Sequence, residues 1–227
     1  IIAAEHSGDR LGANLLTELK NLHEVEIFGI GGPEISCLGI SAPDGINYQD
    51  LQVMGLIDPM LKLPKLLSIR KKLSKLFVDQ KIDIFIGVDS PDFNMFFHKK
   101  LKGLGIKTVQ VVSPSVWAWR ENRIKAIGSQ IDLTMCLFKF EHDYYLEKKM
   151  SSFFLGHPFS DLKPSILKDV LEKYQLNSFQ DFICILPGSR KSEILYMMPI
   201  FIKAAEKIFA FNSNAFFLIP AANEDLK

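Results

Sequence analysis

The chain predicts an α/β protein whose mostly parallel sheet is covered by helices on both faces. Three observations lead there. Strand-like and helix-like segments alternate through the first two thirds of the 227 residues, the signature of βαβ units. The apolar run Ile84-Phe85-Ile86-Gly87-Val88 ends abruptly in Asp89-Ser90-Pro91-Asp92-Phe93-Asn94, as a buried strand does where it leaves a sheet. A second run, Lys107 to Val112, feeds Ser113-Pro114-Ser115-Val116-Trp117-Ala118-Trp119-Arg120, which gathers both tryptophans of the chain in one loop. Open α/β sheets bind ligands beyond the carboxyl ends of their strands, so both loops are candidate sites.

In chain order, apolar runs place strands at 1–4, 25–30, 84–88, 107–112, 132–137 and 152–155. Helices fall between them at 9–22, 66–80, 94–102, 119–128 and 140–149. The helix from Leu66 is the clearest, because Leu66, Ile69, Leu73, Leu76 and Phe77 recur at helical spacing. After Gly156-His157-Pro158 the alternation pauses, and the stretch through Pro164 reads as a linker. A first domain of residues 1–160 and a second of 161–227 are therefore expected. In the second, Phe182 to Leu186 is a short strand, Pro187-Gly188-Ser189-Arg190 its turn, a helix follows to about Phe211, and Phe216 to Ile219 is the next strand. Two strands do not close a doubly wound domain, so the second is expected to be incomplete in this chain.

Composition narrows the class. A hydrophobic content of 48% supports a real core, and 27 basic against 26 acidic residues give a formal net charge of +1, so no global field favours nucleic acid. Three scattered cysteines, Cys37, Cys136 and Cys184, form no Cys-x-x-Cys pattern and fit a reducing compartment. No stretch is long and apolar enough to span a bilayer, and the start lacks the basic region of a signal peptide. The five histidines show no ligand spacing, so no metal site is expected.

Glu5-His6-Ser7-Gly8-Asp9 opens a helix after the first strand, either as a ligand-facing loop or as plain capping by Ser7 or Asp9. Gly29-Ile30-Gly31-Gly32-Pro33 ends another strand without the dinucleotide fingerprint and reads as a structural turn. Asp89, directly after its strand, suits a general base, and Asp92 a helix cap; a turn with two capping carboxylates is the even alternative. Trp117 and Trp119 suit stacking on a sugar or support of an acyl chain, and equally an interdomain contact. Arg120 and Arg123 read as a solvated helix face. The strand, Gly turn and Arg of Leu186 to Arg190 make a phosphate cradle without the Walker spacing, suited to a nucleotide diphosphate. From Leu61 to Val78 six basic residues, Lys62, Lys65, Arg70, Lys71, Lys72 and Lys75, read either as the Lys-rich outer face of an ordinary amphipathic helix or as a dock for an anionic membrane surface, and the apolar Val53 to Ile57 and Met60-Leu61 before them favour the membrane.

These segments together resemble the lipid-A-disaccharide synthases. The resemblance runs in order through Glu5-His6-Ser7-Gly8-Asp9 with Leu11-Gly12, Gly31-Gly32-Pro33, Val53-Met54-Gly55, Gly87 to Asn94, Ser113 to Arg120, Phe140-Glu141, Gly156-His157-Pro158 and Leu186 to Arg190. The Ser-Pro-Ser-Val-Trp-Ala-Trp run is its most specific part. Ala4 and Lys139 stand where the family has Gly and Pro.

The resemblance implies a glycosyltransferase of the GT-B fold, two Rossmann-like doubly wound domains facing a cleft, the second incomplete here. It implies an inverting transfer from UDP-2,3-diacylglucosamine to 2,3-diacylglucosamine 1-phosphate, giving a β-1,6 disaccharide 1-phosphate and UDP without a metal or other cofactor. Asp89 is then the base and Glu5 a second catalytic residue. Ser7, Gly8, Asp92, Asn94, Ser113, Ser115, Trp117 and Trp119 contact the acylated sugars, and Gly188, Ser189 and Arg190 the nucleotide. The implied setting is cytoplasmic, peripheral on the inner membrane of a Gram-negative cell, with a homodimer left open. Another UDP-sugar enzyme of the same fold, or a non-catalytic fragment that binds acylated glucosamine or membrane, is the alternative.

Overall fold

The computed structural model describes residues 1–51, 57–116, 124–160, 162–165, 167–176, 181–189 and 191–221, with the backbone alone at 57–62, 167, 191 and 192. It divides into two compact units, Ile1–Leu162 and Lys163–Lys227.

In the first unit five parallel strands lie side by side in chain order, β1 (Ile2–Ala3), β2 (Ile84–Val88), β3 (Lys107–Val111), β4 (Leu133–Cys136) and β5 (Ser152–Phe154). The helices are α1 (His6–Leu22), a single turn α2 (Pro33–Ser36), α3 (Ile57–Asp79), α4 (Pro91–Lys102), α5 (Ile124–Gln130) and α6 (Lys139–Glu147). Side-chain alternation along the strands builds a core on each face of the sheet. Ile1, Ala3, Ile86, Val88, Val109 and Val111 pack with Ala13 and Leu16 of α1. Ile2, Ala4 and Phe85 pack on the other face with Ile69, Leu73 and Phe77 of α3 and Phe97 and Leu101 of α4. Phe85 anchors that second layer, its ring centroid 5.7 Å from both Phe77 and Phe97.

The expected strand at 25–30 does not form. Its residues make isolated parallel bridges instead, Ile30 to Ile2 and Phe28 to Ser41. The cause is Gly29, whose φ of 137° interrupts the extended run; a Cβ there would overlap the carbonyl oxygen of Ile1. The strand expected at 107–112 stops at Val111 rather than Val112 because Val112 has a φ of 71°. The helices after the first and third strand-end loops begin earlier than expected, at His6 and Pro91, and α3 begins at Ile57. Residues 119–123 of the expected fourth helix lie outside the described residues. Lys139 occupies the first turn of α6, where proline fits equally well, and pairs with Asp143 at 2.7 Å.

The second unit holds α7 (Leu167–Tyr174), then β6 (Asp181–Cys184), α8 (Lys191–Phe211) and β7 (Ala215–Leu218). β6 and β7 pair in parallel, so the three last elements form one βαβ unit.

Candidate active site

The topology reverses at β1. On one side β1 is bridged by Ile30, reached through α1, and on the other it pairs with β2, reached later in the chain. Such a switch point opens a crevice between the carboxyl ends of the two strands. The register Ala3 to Val88 then sets Glu5 and Asp89 at the same end of neighbouring strands.

Glu5, half-buried and extended at φ −116°, is the N-cap of α1. Ser7 is exposed in the first turn, and Gly8 is buried against β2, where a Cβ would lie 3.5 Å from the Cβ of Asp89. The amino end of a 17-residue helix therefore abuts Asp89, and its first-turn amides are suited to an anionic or sugar oxygen. The cap expected of Ser7 or Asp9 is not made on this helix. Asp9 is fully buried and serves α2 instead, its Oδ2 accepting from the N–H of Glu34 at 2.9 Å and its Oδ1 from that of Ile35 at 3.1 Å.

Asp89 and Ser90 both adopt left-handed backbone conformations, with φ of 52° and 39°. Two such residues in succession are disfavoured away from glycine, and they break β2 sharply into α4. Ser90, not Asp92, is the N-cap of α4, with Pro91 in the first position. Asp92 follows in the first turn and is exposed; its carbonyl accepts from Nη2 of Arg70 at 3.2 Å. The carboxylate of Asp89 is half-buried and accepts from the N–H of Ser90 at 2.8 Å through Oδ1.

Asn94 lies beneath this turn, fully buried, and donates to the carbonyl of Asp89 at 2.8 Å. That position suits it to holding the loop rather than touching a sugar. Sequence reasoning missed its two companions, Gln110 and His98, both without exposed surface. The signals were present: a glutamine within an apolar strand, and a histidine one helical turn beyond Asn94 on the same face of α4. Burial pushes the imidazole of His98 down to about 4, so the ring is neutral at physiological pH.

At the end of β3, Ser113 is buried, its hydroxyl 3.2 Å from the Pro114 carbonyl and 3.4 Å from the Tyr145 hydroxyl, while Ser115 is exposed. Burial pushes the Tyr145 phenol up to about 12 and keeps its proton in place. Trp117, Trp119, Arg120 and Arg123 lie outside the described residues. The structure thus brings Glu5, Ser7, Gly8 and Asp89 to neighbouring strand ends, with Asp92 exposed in the first turn of α4 and Ser115 exposed on the loop after β3.

In the second unit Gly188 has a φ of 124°, which glycine alone adopts without strain. The turn it makes already holds an anion: the N–H of Ser189 donates to Oε2 of Glu193 at 3.1 Å. A phosphate at this turn would take the place of that carboxylate. Arg190 lies outside the described residues. Among the described residues no His, Cys, Asp or Glu gather in threes as metal ligands.

Three of the six basic residues of the α3 stretch are engaged within the fold. Lys65 pairs with Asp50 at 2.6 Å, Lys72 donates to the Asp44 carbonyl at 2.9 Å, and the Arg70 guanidinium lies 5.1 Å from the rings of Phe93 and Phe96. Leu63, Leu67, Lys71 and Lys75, four residues apart, are exposed along one stripe. The apolar Val53 to Leu56 and the side chains of Ile57, Met60, Leu61 and Lys62 lie outside the description. No helix among the described residues is long and apolar enough to cross a membrane.

The family model described as lipid-A-disaccharide synthetase matches residues 1–227. The chain is 40% identical to lipid-A-disaccharide synthase 2 of Legionella pneumophila strain Paris, over 100% of its own length and 59% of that protein. It is 40% identical to the lipid-A-disaccharide synthase of Idiomarina loihiensis and 39% to that of Colwellia psychrerythraea, over 99% of this chain and 59% and 57% of theirs. The chain therefore spans less than two thirds of these relatives. A family match across every residue, on a parallel sheet with the motif loops at its carboxyl ends, means that this chain belongs to the lipid-A-disaccharide synthase family.

Proposed function

We propose that this chain supplies the acceptor and catalytic half of an inverting glycosyltransferase that joins UDP-2,3-diacylglucosamine to 2,3-diacylglucosamine 1-phosphate. The observation that carries this reading is Asp89, fixed on a left-handed turn at the switch-point crevice against the amino end of α1. A general base has to sit on a rigid element within reach of the proton it takes. Here the Asp89 carboxylate accepts the proton of the acceptor's 6-hydroxyl as that oxygen attacks the donor's anomeric carbon. The carbon–oxygen bond to the diphosphate breaks on the opposite face, and UDP leaves with the electron pair. Glu5, at the same strand-end level, orients the reacting sugars with Ser7 and the first-turn amides of α1. Ser115, Asp92, Trp117 and Trp119 are assigned to the same acylated ligands, and Asn94 and Ser113 to holding the loops beneath them.

Gly188, Ser189 and Arg190 are assigned to the UDP diphosphate, which would displace Glu193 from the Ser189 amide. Neutralising a leaving diphosphate with an Arg and backbone N–H groups is a sufficient electrostatic device for the transfer. The exposed Leu63, Leu67, Lys71 and Lys75 stripe is assigned to the anionic surface of the membrane that holds both lipid substrates.

The test is mass spectrometry of products after mixing the chain with both acylated substrates in detergent micelles, beside Asp89→Asn. A tetraacyl disaccharide phosphate made by the parent and lost in the variant supports the reading. Turnover by Asp89→Asn at the parent's rate would remove Asp89 as base. One second reading is a polypeptide that binds acylated glucosamine without turnover. Ligand binding without product in the parent distinguishes that case.

A further inference from the structure

The backbone at the carboxyl ends of β2 and β3 converges on one buried side chain. The two N–H groups of the Gln110 amide are shared among three carbonyl oxygens, those of Asp89 at 3.0 Å, Val111 at 3.1 Å and Val112 at 3.3 Å. Its Oε1 lies 2.8 Å from Nε2 of His98. Three carbonyl acceptors leave the amide one orientation, with its NH₂ towards them and its oxygen towards the imidazole. His98 therefore donates from Nε2, which leaves Nδ1 buried with no hydrogen-bond partner. Room for this arrangement exists because residue 87 is glycine: a Cβ there would lie 2.8 Å from Oε1 of Gln110 and 3.0 Å from Cγ of Asn94.

Two of the three residues so held, Asp89 and Val112, have disfavoured backbones, and Ser90 follows directly on Asp89. Asp89, Ser90 and Val112 have φ of 52°, 39° and 71°, and a β-branched residue such as Val112 adopts that region only when its surroundings impose it. A buried polar chain from His98 through Gln110 to the Asp89 carbonyl, joined there by Asn94, is such a constraint.

We propose that Gln110, oriented by His98, is the positioning residue of this site: its amide ties the ends of β2 and β3 together and holds Asp89 in the left-handed turn that presents the carboxylate at the crevice. The inference rests on the reading of Asp89 as base for its catalytic meaning, and on the hydrogen bonds alone for its structural content.

Two arms test it. The first is NMR of the labelled chain, reading three-bond couplings and carbon shifts of Asp89, Ser90 and Val112, with Phe85 and Phe97 as reporters of an intact core. Gln110→Met, of similar length but without the amide, is expected to lose the left-handed signature at Asp89 and Val112 while the core signals stay. His98→Phe is expected to weaken it, and His98→Gln, which restores a donor, to recover it. Left-handed signatures that persist in Gln110→Met would overturn the proposal. Where Gln110→Met does not fold, His98→Phe against His98→Gln decides in the same way, because Gln110 is kept.

The second arm is turnover in the full-length polypeptide. Gln110→Met is expected to lower kcat at least tenfold with KM within twofold, as a displaced base would. An unchanged kcat in Gln110→Met beside an inactive Asp89→Asn would overturn the positioning role. Should Asp89→Asn retain activity, the reading of the base fails, and the first arm still judges what Gln110 holds.

Discussion

The carboxylate of Asp9 and the α-carbon of Gly32 leave no space between them: a Cβ on Gly32 would lie 2.5 Å from Oδ2 of Asp9. The close approach lets one buried carboxylate of α1 accept both free N–H groups at the start of α2, from Glu34 and Ile35. That bond pair pins the glycine-rich segment after Gly29 to the first turn and a half of α1, beside the crevice. Asp9→Ala is expected to cost about 3 kcal/mol, because it leaves two donors without their charged acceptor. Asp9→Asn, which keeps an acceptor oxygen, is expected to cost about half as much. Gly32→Ala is expected to cost about 2 kcal/mol through steric crowding alone. Urea unfolding curves of the three variants check this, and an Asp9→Ala midpoint equal to the parent's would refute it.

His98 makes stability depend on pH in a defined direction. Its imidazole is lowered from 6.5 to about 4 by burial, against the raising influence of Gln110 and Asp132, while Lys102 lowers it further. Between those values the unfolded chain binds a proton that the folded chain does not, so stability falls as pH drops through that window. The full loss, reached below pH 4, is about 3 kcal/mol at ~1.4 kcal/mol per pH unit, and about 2 kcal/mol of it is expected between pH 7.5 and 5. Asp132 is held below its ordinary 3.8 by the Thr108 N–H and Lys102, after an opposing desolvation, so its own contribution is lost only at lower pH. Urea midpoints of parent and His98→Gln at pH 7.5 and 5 isolate the effect. The variant is expected to show a shallower dependence, and equal slopes would remove His98 as the cause.

Much of the site's position was legible in the sequence, and the reasons are local. β2 stands at the residues predicted, because Ile84 to Val88 is apolar on both faces and is cut off by a residue pattern that cannot continue a strand. Asp89 stands out in the sequence for the same reason, as the first residue after that break. The strand expected at 25–30 failed because alternation of apolar residues does not register a backbone angle, and Gly29 breaks the run. The capping of α2 by Asp9 spans 25 residues of sequence and has no local signature. Gln110 and His98 were visible as polar residues in apolar surroundings. Only the packing of β3 against α4 shows that they face each other and close on the Asp89 carbonyl.

Arg70 fastens α3 to α4 through three contacts: both rings of Phe93 and Phe96 at 5.1 Å and the Asp92 carbonyl. The guanidinium is partly desolvated there, which lowers its pKa yet leaves it charged. Arg70→Ala is expected to destabilise the chain by about 2 kcal/mol, the sum of two partly buried cation–π contacts and one hydrogen bond. Arg70→Lys is expected to recover less than half of that, since an ammonium does not stack as a planar guanidinium does. Thermal unfolding of both variants measures the difference, and full recovery by lysine would show that charge alone, rather than the stacked plane, joins the helices.

The stripe Leu63, Leu67, Lys71 and Lys75 carries the prediction on membranes. Lys65, Arg70 and Lys72 have partners inside the fold, so the charge of α3 available to a surface is smaller than its six basic residues suggest. Lys71 and Lys75 remain exposed, aligned with two exposed leucines. At about 1 kcal/mol for each lysine near an anionic surface, Lys71→Ala with Lys75→Ala is expected to weaken binding to vesicles of anionic phospholipid by about 30-fold. Leu63→Ser with Leu67→Ser is expected to weaken binding to anionic and neutral vesicles alike, because it removes apolar burial rather than charge. Lys65→Ala and Lys72→Ala, whose ammonium groups are already occupied, are expected to matter less. Sedimentation with vesicles at low and at physiological salt separates these contributions, since the lysine term is screened and the leucine term is not. Equal binding by all four double and single variants would move the membrane contact off this helix.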